Sequence, residues 1–571
     1  MRTTIRRTAM LAVAALLLAA GRAPAADGGG APLRLVQSGD DDGGMLRRRE
    51  EPAAPETAPA PPSGEEPAAD EAGEAQQGSA PVTPALPTAE EQTYEPEMDA
   101  QAAPAELEPD GFRDDPSYAE DEYSVEDQIE IYGGKTAVDA PRPLMELGYP
   151  MYSAGAIGAG HNLIGRKNLV RPQFLLFGDW RTAVGRNTDD GGEDFSRAAT
   201  RLNLNANLNI TGTERLFALF RPLEDDDGNF TRHVFDRTDA NGQELDDVSE
   251  VETSAEPVTL FFEGDMGRIW GGLSDEYNDL ELPFSVGRIP LFVQNGIWLD
   301  DAFDGFAFAL PALNSPALDI SNMDIAFYAG FNEINTNAIP NSVRDASLFA
   351  VAAFIERRPA YWELDYGYVQ DDGDDGVDSS YHNVSVAWSR RFGAWLSHST
   401  RVIGNFGQDE DGAGNNTADG GLLLLENSLI TSKPYTLVPY LNVFYGDGTP
   451  QALAQTAGQA LQNTGINFEE DAITGFPALD DTGRNAYGGA LGIEYLFNLN
   501  RQIVVEVAGL SRHGEDSDRD DEFAVGVRFQ QPFAQQWIFR ADAVVGEKVP
   551  GGSGTVAEDF SSVRAELRVK F

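Results

Sequence analysis

Apolar and polar residues alternate along most of the chain from about residue 169 to its end. In residues 201–210, the sequence RLNLNANLNI places Leu202, Leu204 and Leu208 on one face and asparagines on the other. A period of two predicts a β-strand with a different environment on each side. Because buried amides need hydrogen-bond partners, a row of asparagines suits a water-filled lumen better than a dry core.

Further segments repeat this pattern, and their apolar faces are rich in Trp, Tyr, Phe and Val. They are residues 258–263, 323–329, 361–368, 383–389, 491–497, 503–507, 523–529 and 537–545. Such a composition is typical of a lipid-facing barrel wall with aromatic girdles. The pattern predicts an all-β fold over residues 169–571, a transmembrane antiparallel β-barrel of about 18 strands (16–20).

The connections between these segments alternate in length. Short ones are predicted at residues 211–215, 357–360, 391–393, 432–436, 498–501 and 531–536. Long acidic ones are predicted at residues 187–194, 224–256, 371–378, 408–420, 447–483, 512–522 and 547–559. Antiparallel strands place alternate connections at opposite ends, so we expect short turns at one rim and long loops at the other. Long loops such as 447–483 are candidates for constrictions that fold into the lumen.

Both ends of the chain carry features of export. Residues 1–25 are predicted to be a signal peptide, with a basic start at Arg2 and Arg6, an apolar run, and small residues at Ala23 and Ala25. Residues 561–571 form an alternating segment that ends in Phe571. This end resembles the C-terminal signal of bacterial outer-membrane barrels. The resemblance implies the outer membrane of a Gram-negative bacterium, its lipid and lipopolysaccharide, and its barrel assembly machinery as partners.

Two segments lie between the signal and the barrel. Residues 26–130 are rich in Ala, Pro, Gly and acidic residues with few aromatics, which predicts a disordered segment. Since the last strand is expected to end on the inner side, the first begins there, so this acidic segment is predicted to be periplasmic. Residues 131–168 are predicted to be a periplasmic lead-in, either a plug at the inner mouth or an appendage.

The charge balance and the cysteine count exclude several classes of function. The chain of 571 residues has 93 Asp and Glu against 41 Lys and Arg, a formal net charge of -52, so binding to nucleic acid is not expected. With 0 Cys, disulfides, iron–sulfur clusters and cysteine-based zinc sites are excluded. We expect no cofactor.

A catalytic site is not expected. Ser397 and His398 are adjacent on a predicted strand, so their side chains face opposite sides and do not form a nucleophile–base pair. Asp–Gly clusters suggest a weak calcium-loop hypothesis at Asp371, Asp374 and Asp375, because hard cations prefer several carboxylate oxygens on a tight turn. The alternative is a solvated loop, and no full calcium-loop motif is present.

Charged residues on the predicted lumen faces are the candidates for pore lining. The basic candidates are Arg181, Arg201, Arg528, Arg540, Arg564, Arg568 and Lys570, and the acidic ones are Glu363 and Asp365. Opposite charges would hold the wall together, whereas a single sign would select ions. The last strands are predominantly basic and others acidic, so anion selectivity stays an open alternative.

Two sequence blocks resemble alginate-export-type outer-membrane channels. They are LPFSVGRIPLF at residues 282–292 with FDGFAFAL at 303–310, and the opening hairpins at residues 174–187 and 199–223. The resemblance implies an 18-stranded porin-like barrel that passes a polysaccharide or small solutes. It also implies Arg288 as a pore-lining candidate, with strand locking as the alternative.

The predicted function is an outer-membrane channel, in which small solutes or a polysaccharide pass through a polar, charge-lined lumen. Two alternatives stay open: a non-conducting structural or adhesive barrel with binding loops, and a barrel lipid hydrolase.

Overall fold

The structure is a computed structural model of the whole chain. It describes residues 140–149, 159–189, 192–225, 228–339, 342–373, 378–408, 418–469, 471, 473–516, 519–551 and 557–571. The predicted signal peptide (1–25) and the acidic segment (26–130) lie outside the described residues.

The wall of the described chain consists of 18 strands. They are β1 (Gln173–Asp189), β2 (Asp194–Asn209), β3 (Arg215–Phe220), β4 (Pro257–Asp265), β5 (Pro283–Val293), β6 (Leu299–Ser315), β7 (Ile320–Asn332), β8 (Ala346–Arg357), β9 (Ala360–Asp371), β10 (Tyr381–Phe392), β11 (Leu396–Phe406), β12 (Asp419–Leu429), β13 (Leu437–Thr449), β14 (Ala486–Leu496), β15 (Gln502–Arg512), β16 (Asp521–Pro532), β17 (Trp537–Val549) and β18 (Glu558–Lys570). Each pairs antiparallel with the next, and β18 pairs with β1, which closes the barrel. The predicted all-β fold, an antiparallel barrel of about 18 strands (16–20), is confirmed, and the number is 18.

Shorter elements surround this wall. The short strands are Met145–Gly148, Thr231–Thr238, Glu244–Leu245, Val248–Glu250 and Ala454–Gln455. The helices are α1 (Met266–Ser274), α2 (Ser342–Asp345) and three 3-10 turns at Pro316–Leu318, Gln462–Thr464 and Gly514–Asp516. None of the helices in the described part of the chain is long and apolar enough to cross a membrane.

The alternation along β18 shows how the sequence sets the two faces of the wall. Val563 is 59% exposed and Leu567 is also exposed, whereas Ser562, Arg564 and Glu566 are buried. The exposed residues are apolar and the buried ones are polar, the reverse of a water-soluble protein. The wall therefore faces outward with an apolar surface and inward with a polar lumen, as expected for a barrel in lipid.

Connection lengths divide the barrel into two rims. The strands β8 and β9 are joined by two residues, and β10 and β11 by three, at the rim where β1 begins. The connections from β3 to β4 and from β13 to β14 are the longest and lie at the opposite rim. The short-turn rim also carries α1, whose first turn is capped by Asp265, which accepts a hydrogen bond of 2.8 Å from the Arg268 amide.

Part of the predicted lead-in, residues 131–168, is described and contacts the short-turn rim. Met145–Gly148 pairs with the start of β1, at Gln173 to Leu176, beyond the point where β18 ends. Farther along, the Asn168 amide donates to Glu214 at 2.7 Å, in the turn between β2 and β3. The lead-in thus covers a strand edge that the closed barrel leaves unpaired.

Candidate functional site: the lumen and its constriction loop

Four buried arginines form a row on the lumen face near the closing seam. This arginine ladder consists of Arg181 on β1, Arg528 on β16, Arg540 on β17 and Arg564 on β18. Strand alternation turns all four inward, because each shares a face with buried polar neighbours. Buried guanidinium groups need compensating charges, so their partners decide what the ladder does.

Every arginine of the ladder is paired with a carboxylate. Arg181 binds Glu566 at 2.9 Å, and Asp542 accepts from Arg528 at 2.7 Å, Arg540 at 2.9 Å and Arg564 at 2.7 Å. Arg528 and Arg540 also reach Glu469, at 2.5 and 3.2 Å. Arg564 contacts Asp471. Four carboxylates thus balance four guanidinium groups, and the ladder carries no excess positive charge.

The remaining basic candidates lie on the lumen side as well. Arg201 pairs with Glu224 at 3.1 Å and lies over the Phe230 ring. Arg568 pairs with Asp179 at 2.8 Å, and Lys570, the last residue of β18, lies beside it on the same strand face. The Arg568–Asp179 pair joins β18 to β1 at the seam, and the Arg201–Glu224 pair joins β2 to the connection after β3, so neither arginine presents uncompensated charge to the lumen.

The acidic candidates Glu363 and Asp365 lie on the lumen face of β9. Their outward neighbours Leu364 and Tyr366 are exposed, and Asp365 is buried. The Gln294 amide donates to Asp365 at 2.5 Å, so the turn after β5 reaches into the lumen. In the same turn, the indole N–H of Trp298 donates to Asn383 on β10 at 2.8 Å.

Arg288 lies on the outward face of β5, a position that fits the alternative of strand locking better than pore lining. It shares a face of β5 with Val286 and Phe292, which are 48% and 43% exposed, opposite the buried Ile289 and Val293. Its guanidinium pairs with Asp304 on β6 and with Glu333, each at 3.0 Å. The alternation of side chains along β5 fixes this orientation, whereas the family resemblance did not say on which face of the strand Arg288 lies.

The long connection between β13 and β14, residues 450–485, folds into the lumen, and we call it the constriction loop. Its segment Ala454–Gln455 pairs parallel with the start of β6. At its centre, the amides of Ile466 and Asn467 donate to Glu506 on β15 at 3.0 and 2.9 Å. The constriction loop thus connects β6 and β15, which lie in different parts of the wall.

Further contacts fix the far side of the constriction loop. Asn187 on β1 donates to the carbonyls of Thr474 and Gly475 at 3.0 and 2.9 Å. At the outer end of β15, Arg512 pairs with Asp480 at 2.6 Å. Burial alone would raise the pKa of Asp480, but Arg512 and hydrogen bonds from Thr482 outweigh it and hold the pKa below its usual value.

Apolar side chains of the constriction loop pack against apolar positions of the wall. Leu461, Phe468, Phe476 and Leu479 belong to one buried cluster with wall residues such as Phe444. Leu453 belongs to a second cluster with Trp298, Phe303 and Tyr381. Burial of these side chains stabilises the in-folded position, since each removes apolar area from water.

A polar cavity of about 510 Å³ remains beside the constriction loop, and we call it the lumen chamber. Its charged lining residues are Arg401, Glu426, Glu469, Glu494 and Arg528. Arg401 contacts Glu426, and Arg528 pairs with Glu469. Serine hydroxyls, including those of Ser389, Ser399 and Ser428, and amides complete the lining.

The residues considered for catalysis and calcium occupy other surroundings. Ser397 and His398 are both among the lining residues of the lumen chamber, but the His398 ring packs with the outward Trp388 and Phe392. The Asp371 carboxylate accepts hydrogen bonds from the backbone amides of Gly373 and Ser379 at 2.9 and 3.0 Å, and these bonds close a turn. Asp374 and Asp375 lie outside the described residues. Within the described ranges, no group of three or more His, Asp or Glu residues is placed to hold a metal ion.

Sequence reasoning missed Glu469 and Asp471, which pair with the arginine ladder, and it did not predict that Glu506, on a predicted lumen face, anchors the constriction loop. Glu469 and Asp471 both lie in the connection 447–483, which was predicted to be acidic and a candidate for a constriction that folds into the lumen, but no partners were predicted for its carboxylates. A usable signal was present, because the same connection carries Leu461, Phe468 and Phe476, which a solvated loop rarely contains.

The closed, even-stranded wall with an apolar exterior and a polar lumen defines a porin-like outer-membrane barrel.

No protein family matches this chain, and no curated protein matches it. The solved structures to which it is similar include OccK7 (OpdD) and OccK1 (OpdK) of Pseudomonas aeruginosa. For OccK7 (OpdD) the identity is 10% and the TM-score 0.44, over 70% of this chain and 98% of that chain. For OccK1 (OpdK) the identity is 14% and the TM-score 0.41, over 69% of this chain and 98% of that chain. The barrel itself is defined by the strand pairing described above.

Proposed function

We propose that the protein is an outer-membrane channel for small polar solutes, which diffuse through a lumen narrowed by the constriction loop. The observation that carries this proposal is the lumen chamber of about 510 Å³, lined by charged and hydroxyl side chains inside a closed wall. Polar groups lining a cavity replace part of the water shell of a solute, which lets it enter and leave.

Small solutes are favoured over a polysaccharide of the alginate type. A polyuronate chain needs a wide lumen with excess positive charge. Here the constriction loop occupies part of the lumen, and the arginine ladder is compensated by four carboxylates. An alginate exporter therefore ranks behind a channel for small solutes.

A non-conducting barrel is the second candidate, and one observation favours it. Two buried apolar clusters join the constriction loop to the wall, so the loop is held in place by more than ion pairs. A barrel closed in this way would serve as a structural or adhesive protein through its outer connections.

The orientation follows from the position of the rims. Short turns face the periplasm in outer-membrane barrels, so β1 begins there and the acidic segment 26–130 lies in the periplasm. The lipid and lipopolysaccharide of the outer membrane contact the apolar exterior. The barrel assembly machinery inserts the chain through its C-terminal strand.

Single-channel recording of the purified full chain in planar bilayers tests the proposal. Stepwise conductance in potassium chloride is expected, and its size reports how far the constriction loop narrows the lumen. Uptake of small sugars into liposomes, compared with a polyuronate oligomer, tests the solute range. A barrel that inserts but stays silent at all voltages would overturn the channel in favour of the second candidate.

A further inference from the structure

Glu494 on β14 presents a carboxylate to the lumen chamber without a cationic partner in the described part of the chain. Its cross-strand neighbours at the same level are Val438 on β13 and Val504 on β15. Wall carboxylates are usually balanced by a cross-strand partner. Two valines provide no such balance, so the charge of Glu494 is left to the chamber.

The other carboxylates around the chamber are engaged. Glu426 contacts Arg401, and Glu469 binds Arg528 and Arg540. Glu506 accepts hydrogen bonds from the loop amides and from the Tyr440 hydroxyl. Within the described residues, Glu494 is therefore the lining carboxylate of the chamber that has neither an ion pair nor a hydrogen bond.

An aromatic ring lies next to this charge. Gly492 is two residues from Glu494 on the same strand face, and a Cβ there would overlap the ring of Tyr440. The ring of Tyr440 thus covers Gly492, and its hydroxyl donates to Glu506 at 2.5 Å, which fixes its position. Tyr440 and Glu494 both line the lumen chamber.

A carboxylate next to an aromatic ring is the chemistry that binds an organic ammonium ion. The carboxylate supplies the counter-charge, and the ring attracts a weakly hydrated cation through its negative face. Arg528 lies one strand beyond Val504, but Glu469 and Asp542 compensate its charge. It therefore does not cancel the attraction of Glu494.

We propose that the lumen chamber is a binding site for small organic ammonium ions, with Glu494 as the counter-charge and the Tyr440 ring as the contact surface. This inference rests on the proposed function only in that the chamber lies on the route of the solute. It names the class of solute that the channel favours.

Isothermal titration calorimetry on the detergent-solubilised full chain tests the site, with tetramethylammonium chloride as the probe and sodium chloride as competitor at constant ionic strength. Binding is expected to weaken at least about tenfold in Glu494→Gln and in Tyr440→Leu, and to persist in Tyr440→Phe, which keeps the ring. Glu244→Gln, on an exposed outer connection, is the matched control. Heat-modifiable migration on a gel verifies that each variant is a folded barrel.

Three results would overturn the site: no binding by the unaltered protein, equal binding by Glu494→Gln, or equal competition by sodium. Conductance of the same preparations in planar bilayers separates this outcome from the function of the barrel. A silent barrel that binds tetramethylammonium refutes the channel and supports the site. A conducting barrel that binds none of the probe refutes the site and supports the channel.

Discussion

Glu469 in the constriction loop and Arg528 on the lumen face of β16 form an ion pair with a distance of 2.5 Å. Arg540 on the neighbouring strand binds the same carboxylate at 3.2 Å. One loop residue therefore compensates two wall arginines. Because the loop supplies this charge, the position of the loop and the electrostatics of the lumen are linked.

Replacing Glu469 by Gln is expected to loosen the constriction loop and to shift ion preference toward anions. Hydrogen bonds to charged groups contribute about 1.5–3 kcal/mol each, and the substitution weakens two of them. Reversal potentials in a potassium chloride gradient measure the shift, and single-channel conductance measures the loosening. Glu244→Gln on an outer connection is the control. An unchanged reversal potential in Glu469→Gln would contradict the link between loop and charge.

Replacing Gly465 by Ala is expected to displace the constriction loop while leaving the barrel intact. A Cβ at this position would lie 2.6 Å from Oε2 of Glu506 and 2.9 Å from Cβ of Ala490, so the loop must move. Conductance should rise, and the far-ultraviolet circular dichroism spectrum should stay that of the parent. Gly212→Ala is the matched control, because nothing lies within 4 Å of its added Cβ. Equal conductance in both variants would argue against this contact.

Acid pH is expected to weaken the outer anchor of the constriction loop. The pKa of Asp480 is held below its usual value in the folded protein, so its pair with Arg512 contributes stability above the unfolded pKa of about 3.9. That contribution is lost as the pH falls through the folded pKa. Conductance recorded between pH 7 and pH 3 should rise at the acid end. The variant Asp480→Asn should show the raised conductance already at neutral pH, and its conductance should not change between pH 7 and pH 3.

Replacing Val563 by Arg is expected to destabilise the barrel in lipid. Val563 points outward from the centre of β18, and an arginine near the bilayer midplane costs about 2–4 kcal/mol. Denaturant-induced unfolding from lipid vesicles measures the difference. Val251→Arg, in an exposed connection, should change little. A stable Val563→Arg variant would mean that this face does not contact acyl chains.

Local patterns in the sequence were sufficient to predict the barrel, and the reason is visible in β2. Its asparagines Asn203 and Asn207 are buried on the lumen side, whereas Leu202, Leu204 and Leu208 on the opposite face are only partly buried. The period of two is a property of adjacent residues, so it is readable without tertiary information. The same parity sets the face of Arg288, which was assigned to the pore from a family resemblance rather than from its neighbours Val286 and Phe292.

The sequence by itself determined the wall of this protein: an antiparallel barrel of about 18 strands, and which face of each strand meets water. Only the tertiary structure decided how the lumen is filled. The pair of Arg181 and Glu566 joins residues 385 positions apart, and the constriction loop reaches β1, β6, β15 and the last strands at once. Such partners are selected by closure of the barrel, which brings distant side chains into one cavity, and no local period encodes that choice.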